Sequence, residues 1–316
     1  MDASDETRWA PLDAEIEAIL RRTPRVDLVE VATAREASER QLTALADGAG
    51  SDASVPSTPI EVGGVSGLWY APGEPARARG VLVYAHGGAF VIGNHSRTDR
   101  LCRRLAVLGD CNVLSIDYSL APEHPFPAAL DEVSAAVLSV AGGCLGETAD
   151  PTRIAVGGVS AGAALAAGAA LMARDRAGPE IALALLDQPV LDSRLSTPSA
   201  RAADGAPLLD RAFLTAMWSH YLGPAGGPGW DSPYAAPGLA RDLAGYPPTC
   251  IVVAQNDPLR DEALEFGHRL ALAGVATEVH LYAGTCHGFT QMAVWQADAA
   301  IEAQGRALRR ALGTAE

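Results

Sequence analysis

The chain has 316 residues, of which 48% are hydrophobic and 20% charged, with a formal net charge of -14 at pH 7. This length suffices for one large core or two modest ones. The acidity argues against nucleic acid and anionic membrane surfaces as partners, because both repel a negatively charged protein. The apolar runs are too short to span a bilayer, and residues 1–10 have no signal-peptide pattern, so we expect a cytoplasmic protein without integral membrane association.

Two helical stretches precede the first strand. Residues 11–22 place apolar side chains at helical spacing, and a second helical stretch covers residues 29–45. Residues 46–57 are rich in Gly, Ser and Asp and are typical of a linker. These helices either pack on the outside of the main domain or form a lid over a pocket, and the residues alone slightly favour packing.

From residue 58 onward, strands alternate with helices. The pattern predicts a strand or hairpin at 60–70, strands at 80–84, 113–117, 154–156, 181–185, 250–254 and 279–281, and helices at 97–108, 127–140, 160–175, 260–273 and 292–312. Such alternation predicts a mostly parallel sheet covered by helices on both faces. Ligands of such a sheet bind beyond the carboxyl ends of its strands.

One insertion interrupts this alternation between residues 191 and 246, where no convincing strand is present. Its one helical stretch, 208–221, contains Phe213, Met217, Trp218 and Tyr221. An inserted segment at the catalytic end of an α/β sheet is a natural lid. The alternative is that its aromatic side chains serve local packing.

The strongest local motif is G-V-S-A-G at 158–162, which lies between the apolar run 154–156 and an Ala-rich helical stretch. A strand that runs directly into a helix forces a tight, strained turn, which the flanking glycines allow. This is the context of a nucleophile elbow that presents the Ser160 hydroxyl at the end of the sheet. The alternative is a serine that only caps the helix.

Three further stretches follow the carboxyl ends of predicted strands: H-G-G-A-F at 86–90, Asp257 and His287. The order Ser160, Asp257, His287 is the nucleophile–acid–base order of α/β-hydrolases, and the glycine run is suited to an oxyanion hole. Asp257 is alternatively a helix N-cap, and His287 an ordinary loop histidine. His86 opens the glycine run, so we expect it to orient the loop rather than to act as the base.

Five blocks of the sequence together resemble the hormone-sensitive-lipase-like carboxylesterases (bacterial family IV). They are the blocks at 86–90 and 158–162, Y-S-L-A-P-E-H-P-F-P-A at 118–128, D-P-L-R-D-E at 257–262 and C-H-G-F at 286–289. The resemblance covers residues 80–289. It implies an α/β-hydrolase fold with a mostly parallel eight-stranded sheet flanked by helices, and a helical cap. It also implies six site residues: Ser160, Asp257 and His287 as catalytic nucleophile, acid and base, and Gly87, Gly88 and Ala161 as N–H donors of the oxyanion hole.

The resemblance also implies a division of the chain into cap and core. Residues 1–55 and the insertion 192–244 form the cap, while residues 56–191 and 245–316 form the catalytic core. We expect Phe90, Trp218 and Tyr221 to contact substrate, and His86 and Glu123 to orient loops.

The sequence departs from the family's usual pattern at a few positions. Ala89 replaces the third glycine of the H-G-G-G run, and Ser119 stands where arginine is usual. Val159 and Ala163 replace an aspartate and a glycine around the elbow. Since Gly87 and Gly88 are kept, we expect catalysis to persist.

The expected reaction is hydrolysis of short- to medium-chain acyl esters, with a small-molecule ester as partner, through an acyl-enzyme. It needs no metal or organic cofactor, and the five cysteines have no spacing typical of disulfides or zinc. Lactone, amide and formamide hydrolysis use the same triad and stay open. A small-molecule receptor is the alternative from another class, although such proteins typically lose part of the triad. A homodimer is a further expectation.

Overall fold

An eight-stranded sheet organises the part of the chain that the computed structural model describes, namely residues 9–46, 55–73, 78–224, 227 and 229–313. The strands are β1 (Ser57–Val62), β2 (Val65–Tyr70), β3 (Arg79–Ala85), β4 (Asn112–Ile116), β5 (Ala149–Val159), β6 (Ile181–Asp187), β7 (Thr249–Asn256) and β8 (Thr277–Cys286). Their order is β1-β2-β4-β3-β5-β6-β7-β8. The β1–β2 hairpin is antiparallel, β2 pairs antiparallel with β4, and the other pairs are parallel. The predicted sheet is therefore confirmed.

Alternation along the central strands divides the apolar side chains between the two faces of the sheet. On β3, Val81 and Val83 join one hydrophobic cluster, whereas Leu82 and Tyr84 join another on the opposite face. Strands that are buried on both faces must be apolar at nearly every position, which explains the continuous runs in the sequence.

Apart from α6, which was not predicted, the helices of the described residues match the predicted positions within a few residues. They are α1 (Ala14–Arg22), α2 (Val31–Ala46), α3 (Asp99–Gly109), α4 (Ala128–Ala141), α5 (Ala161–Asp175), α6 (Pro198–Arg201), α7 (Arg211–Leu222), α8 (Arg260–Leu272) and α9 (Trp295–Leu312). Buried side chains of α3 and α9 pack on one face of the sheet, and those of α4, α5 and α8 on the other. No helix in the described part of the chain is long and apolar enough to cross a membrane.

The two N-terminal helices make different contacts. The buried side chains of α1, Ile16 and Ile19, pack in a cluster with Val252 and Phe289 of the main domain. The helix α2 lies nearer the loop that follows β3, to which the Arg35 side chain is hydrogen-bonded. Of the predicted linker at 46–57, residues 47–54 lie outside the described residues.

The insertion between β6 and β7 carries α6 and α7 and, among its described residues, no strand. This confirms the predicted interruption of the alternating pattern. Its helix α7 begins at an Asp210 side chain that accepts a hydrogen bond from the Phe213 N–H, so the start of the helix is capped in the usual way.

Candidate active site

Ser160 lies at the junction of β5 and α5, in a sharp turn with no loop between the two elements. Its backbone has φ 57° and ψ -119°, a strained conformation for a residue with a side chain. The flanking glycines are required sterically. A Cβ atom on Gly158 would lie 2.4 Å from the Gly162 carbonyl carbon, and one on Gly162 would lie 2.1 Å from the Ala85 oxygen. The turn thus has the strained geometry expected of a nucleophile elbow.

The structure brings the three predicted triad residues together. The Ser160 hydroxyl lies 2.9 Å from Nε2 of His287, and Nδ1 of His287 lies 2.7 Å from an Oδ2 oxygen of Asp257. Asp257 and His287 are both buried. With Nδ1 donating to the carboxylate, Nε2 is left as the acceptor that faces the serine. The arrangement can remove a proton from Ser160.

The helix α8 begins at Arg260 and its N-cap is Leu259, so the alternative interpretation of Asp257 as the helix N-cap is wrong. The turn before the helix instead holds the carboxylate of Asp257. Its Oδ1 atom accepts a hydrogen bond of 2.9 Å from the Leu259 N–H, just before α8, while Oδ2 faces His287. The two contacts use different oxygens, so they do not compete. The hydrogen bond from the Leu259 N–H helps to orient the carboxylate toward His287.

The predicted oxyanion donors lie beside Ser160. A Cβ atom on Gly87 would lie 3.5 Å from Cβ of Ser160, and Gly87 and Gly88 both line the cavity that contains the serine. Gly88 has φ +133°, and a Cβ there would lie 1.8 Å from the Ile92 oxygen. Ala161 is the first residue of α5, where a backbone N–H has no acceptor within its own helix.

His86 and Glu123, the two predicted loop-orienting residues, lie in different surroundings. The His86 ring is buried, stacks on Tyr118 with ring centroids 4.2 Å apart, and its Nδ1 lies 2.8 Å from the Gly87 oxygen. Burial lowers the pKa of His86 to about 4, so the ring is neutral at pH 7. Glu123 is half-exposed and accepts hydrogen bonds of 2.8 and 2.7 Å from Arg35 of α2. The side-chain hydrogen bond from Arg35 lowers the pKa of Glu123 to about 2.

The structure shows the surroundings of three of the four departures from the family pattern. Ala89 has φ 55°, a left-handed conformation that glycine adopts more easily. The Ser119 N–H and hydroxyl both donate to the Glu132 carboxylate of α4 at 2.6 Å, so this carboxylate holds the 118–128 block. Val159 is buried and lines the cavity next to Ser160.

A polar network that the sequence analysis missed supports the predicted triad from β6. The Ser160 N–H donates to the backbone oxygen of Asp187 at 2.8 Å. The Gln188 side chain accepts from the Gly288 N–H at 2.6 Å and donates to the Asp187 carboxylate at 2.8 Å. Thr290 donates to the second Asp187 oxygen at 2.8 Å. The loop that carries His287 is therefore fastened to the end of β6.

The cavity in front of Ser160 has mostly apolar walls from three parts of the chain. Its apolar lining includes Val26 before α2, Ile92 after β3, Val190 after β6, and Leu208, Leu209, Phe213 and Met217 of the insertion. The polar lining besides Ser160 and His287 comprises the side chains of Gln41, Arg97 and Gln291. A cavity of this kind suits a substrate that is largely apolar with a few polar groups.

The three aromatic residues predicted to contact substrate lie outside the cavity lining. Phe90, Trp218 and Tyr221 are buried together, and the Phe90 and Tyr221 rings stack with centroids 3.7 Å apart. Their apolar surface is satisfied by this mutual packing, which was the alternative interpretation of the insertion. The α7 side chains that do line the cavity are Phe213 and Met217.

One group of side chains among the described residues has the spacing of metal ligands, far from the cavity. Atoms of Cys250, Glu278 and His280 lie within 4.8 Å of one another near the amino ends of β7 and β8. Glu278 is already paired with Arg310, and burial raises the pKa of the Cys250 thiol to about 12. Since Glu278 is exposed and already bound to Arg310, we assign no metal site to this group.

Comparisons with known proteins agree with this geometry. The family described as the alpha/beta hydrolase fold matches residues 82–291. The esterase LipI of Mycobacterium tuberculosis is 42% identical over 242 residues, covering 76% of this chain and 75% of that protein. The carboxylesterase NlhH of the same species is 40% identical over 242 residues, covering 73% of this chain and 74% of the relative.

Solved structures of esterases superpose on nearly the whole chain. A bacterial heroin esterase has a TM-score of 0.90 at 35% identity and covers 98% of this chain and 100% of its own. The esterase LipW from Mycobacterium marinum has a TM-score of 0.85 at 37% identity, with 95% and 96% covered. The chain therefore belongs to the α/β-hydrolase family, in its hormone-sensitive-lipase-like carboxylesterase branch.

Proposed function

We propose that this protein is a serine carboxylesterase that hydrolyses short- to medium-chain acyl esters through an acyl-enzyme. The observation that carries the proposal is the chain of hydrogen bonds from Ser160 through His287 to Asp257 at the wall of a largely apolar cavity. Membership in a family whose members include named carboxylesterases supports the same reaction.

In the proposed mechanism, His287 removes the proton of Ser160 as the serine oxygen attacks the ester carbonyl. Asp257 holds the imidazole in the correct tautomer and stabilises the imidazolium. The N–H groups of Gly87, Gly88 and Ala161 bind the tetrahedral oxyanion, and each contributes about 2.7–4 kcal/mol by analogy with other oxyanion donors. His287 then protonates the leaving alcohol, and water repeats the cycle on the acyl-enzyme.

The proposed cap consists of the segments 1–55 and 192–244 over the core formed by 56–191 and 245–316. Support comes from the cavity, because Val26 and Gln41 border it from the first segment and Phe213 and Met217 from the second. Both segments are therefore in a position to select the acyl or alcohol part of a substrate.

The test is hydrolysis of 4-nitrophenyl esters of increasing acyl length by the wild-type protein and the Ser160→Ala variant. We expect turnover that peaks at short to medium chains and is lost in Ser160→Ala, with the variant's far-UV circular dichroism unchanged. Undiminished turnover in a folded Ser160→Ala protein would refute the proposed nucleophile. No turnover of any ester by folded wild-type protein would refute the proposed reaction.

A cytoplasmic location and a homodimer complete the proposal. The strand β8 lies at the edge of the sheet, and its Val279 and Leu281 side chains are 39% and 49% exposed, which supports association through this edge. Light scattering coupled to gel filtration tests the dimer, and fractionation of the native host tests the location.

A further inference from the structure

Arg97 is the one permanently charged side chain among the described residues that line the catalytic cavity. It lies in the 3-10 turn His95–Thr98, which follows the predicted oxyanion loop. Neighbouring lining residues such as Ile92 and Leu209 are apolar, so a cation at this position is unusual for a cavity that only holds hydrocarbon. The arginine therefore calls for a partner.

The described part of the chain supplies only some of the hydrogen bonds that this guanidinium can make. Nη1 of Arg97 donates to the hydroxyl of Ser38 at 2.5 Å and to its backbone oxygen at 3.4 Å. Nε is buried without a hydrogen-bond partner. No carboxylate of the described residues lies within ion-pair distance of Arg97, and none of their acceptors binds Nη2.

The unused donors have the geometry of a carboxylate fork. Nε–H and one N–H of Nη2 lie on the same side of the planar guanidinium and point in parallel, which matches the two oxygens of a carboxylate. Burial lowers the pKa of Arg97. The ordinary pKa of an arginine is so high that the group nevertheless stays charged at neutral pH. The Glu39 carboxylate raises the pKa of Arg97 through space but lies beyond ion-pair distance, so an anionic ligand in direct contact stabilises the buried fork further.

The surroundings favour the approach of an anion. A surface groove beside the cavity shares Arg97 and Gln291 with it and adds the Arg100 side chain. Arg100 is paired with Asp298, so Arg97 is the positive charge on this side of the cavity that is left for an anionic ligand. The amides of Gln41 and Gln291, which also line the cavity, are neutral and do not compete with the anion for Arg97.

We propose that Arg97 forms a carboxylate-binding subsite of the catalytic cavity, so that the enzyme prefers esters that carry a carboxylate over neutral esters of the same length. The proposal rests on the proposed esterase function, because it names the substrate class of that same cavity. The competing explanation is that Arg97 only fastens α2 to the core through Ser38.

The experiment compares anionic and neutral ester pairs in the wild-type protein and in variants. Mono-4-nitrophenyl adipate against 4-nitrophenyl hexanoate places the carboxylate in the acyl part, and 4-acetoxybutyrate against butyl acetate places it in the alcohol part. In one of the two pairs, we expect Arg97→Gln to lower the anionic-to-neutral ratio of kcat/KM on the order of 10- to 100-fold, mainly through KM. Arg97→Lys should restore part of the ratio, since it keeps the charge but loses the fork.

Two control variants separate the subsite from a structural role. Ser38→Ala removes the shorter, side-chain contact with α2, keeps the longer one to the Ser38 backbone oxygen, and keeps the cation. Arg100→Gln removes a neighbouring positive charge that is paired with Asp298. Both should leave the ratio within about twofold of wild type, since neither removes the Arg97 fork. A ratio that is unchanged in Arg97→Gln, or that falls equally in Ser38→Ala, would overturn the proposal.

A binding measurement keeps this inference distinguishable from the proposed function. Adipate is titrated calorimetrically into folded Ser160→Ala protein and into the Ser160→Ala/Arg97→Gln double variant. Adipate binding that is lost in the double variant supports the subsite even if the wild-type protein hydrolyses no ester. Hydrolysis of neutral esters, with neither adipate binding nor an Arg97-dependent ratio, would overturn the subsite and leave the esterase function standing.

Discussion

Replacement of Gln188 by leucine should displace the predicted catalytic histidine without touching it. The Gln188 amide makes three buried contacts: it accepts from the Gly288 N–H and donates to Asp187 and, at 3.3 Å, to Thr290. Leucine fills a similar volume but makes none of these hydrogen bonds. The Gly288 N–H is left without a partner next to His287, and Asp187 loses one of its two side-chain donors.

The magnitude follows from those losses. A buried group left unsatisfied costs about 1–3 kcal/mol, and a hydrogen bond to a charged group contributes about 1.5–3 kcal/mol. The free energy of unfolding should therefore fall by about 3–6 kcal/mol, as measured by urea denaturation. Because small displacements of catalytic groups cost on the order of 100-fold in rate, we expect kcat for 4-nitrophenyl acetate to fall about 10- to 100-fold.

Two variants separate positioning from general instability. Thr290→Val removes one donor to Asp187 but leaves the Gly288 contact, so it should lower stability while kcat stays within about threefold of wild type. Gln296→Leu makes the same amide-to-methyl change at a buried site whose Oε1 has no partner among the described residues, and should alter kcat little. A folded Gln188→Leu protein with wild-type kcat would refute the reasoning.

Three further predictions have defined outcomes. Gly88→Ala should abolish turnover and lower the free energy of unfolding by more than about 3 kcal/mol, because the methyl group would overlap the Ile92 oxygen at φ +133°. Ala89→Gly should stay active and gain up to about 1 kcal/mol of stability, because glycine adopts the positive φ of this position more easily. An active Gly88→Ala protein would contradict this prediction. Glu123→Gln should lower the free energy of unfolding by less than about 1 kcal/mol, because the ion pair with Arg35 is half-exposed. Arg35→Met should lower it more, since Arg35 also donates to the Val91 and Ala121 oxygens. Equal losses of stability in urea denaturation would refute the distinction. Burial raises the pKa of Asp187 from 3.8 to about 6, so the folded protein holds a proton that the unfolded chain releases, and this carboxyl lowers stability as pH rises through that window. The stability of Asp187→Asn relative to wild type should therefore increase by about 2 kcal/mol between pH 4 and pH 7, and a constant difference would contradict the assignment.

The sequence was most informative where a function requires a local backbone shape. Gly158 and Gly162 were predicted to flank a strained turn, and the close approach of Ala85 explains why no larger residue fits. The strands were predictable because burial on both faces demands continuous apolar runs, and the order of Ser160, Asp257 and His287 along the chain indicated the fold. The glycine and strand signals are local, because each lies within a few residues of the chain.

The orientation of α7 was not predictable in the same way. Phe213 and Met217 face the cavity, whereas Trp218 and Tyr221 face Phe90. These four side chains are all largely apolar. A helix that is apolar on more than one side has no periodicity that distinguishes a ligand-facing surface from a core-facing one. Its rotation is fixed by tertiary packing.

Contacts between distant positions were also beyond the sequence. Gln188 meets Gly288, 100 residues away, and Arg97 meets Ser38, 59 residues away. Neither residue belongs to a motif, and a single glutamine or arginine outside the helices and strands is usually solvated. Only the fold reveals that one fastens the histidine loop and the other lines the cavity.

The attachment of α2 has a consequence for how such enzymes are recombined. This helix contacts the segment that carries the predicted oxyanion donors at two points, through Arg35 to the Val91 oxygen and through Ser38 to Arg97. The N-terminal segment is thus a brace for the loop that follows β3 as well as a wall of the pocket. A chimera that imports this segment from a relative would change the stiffness of the reaction centre together with its selectivity, so the two properties are not modular in this protein.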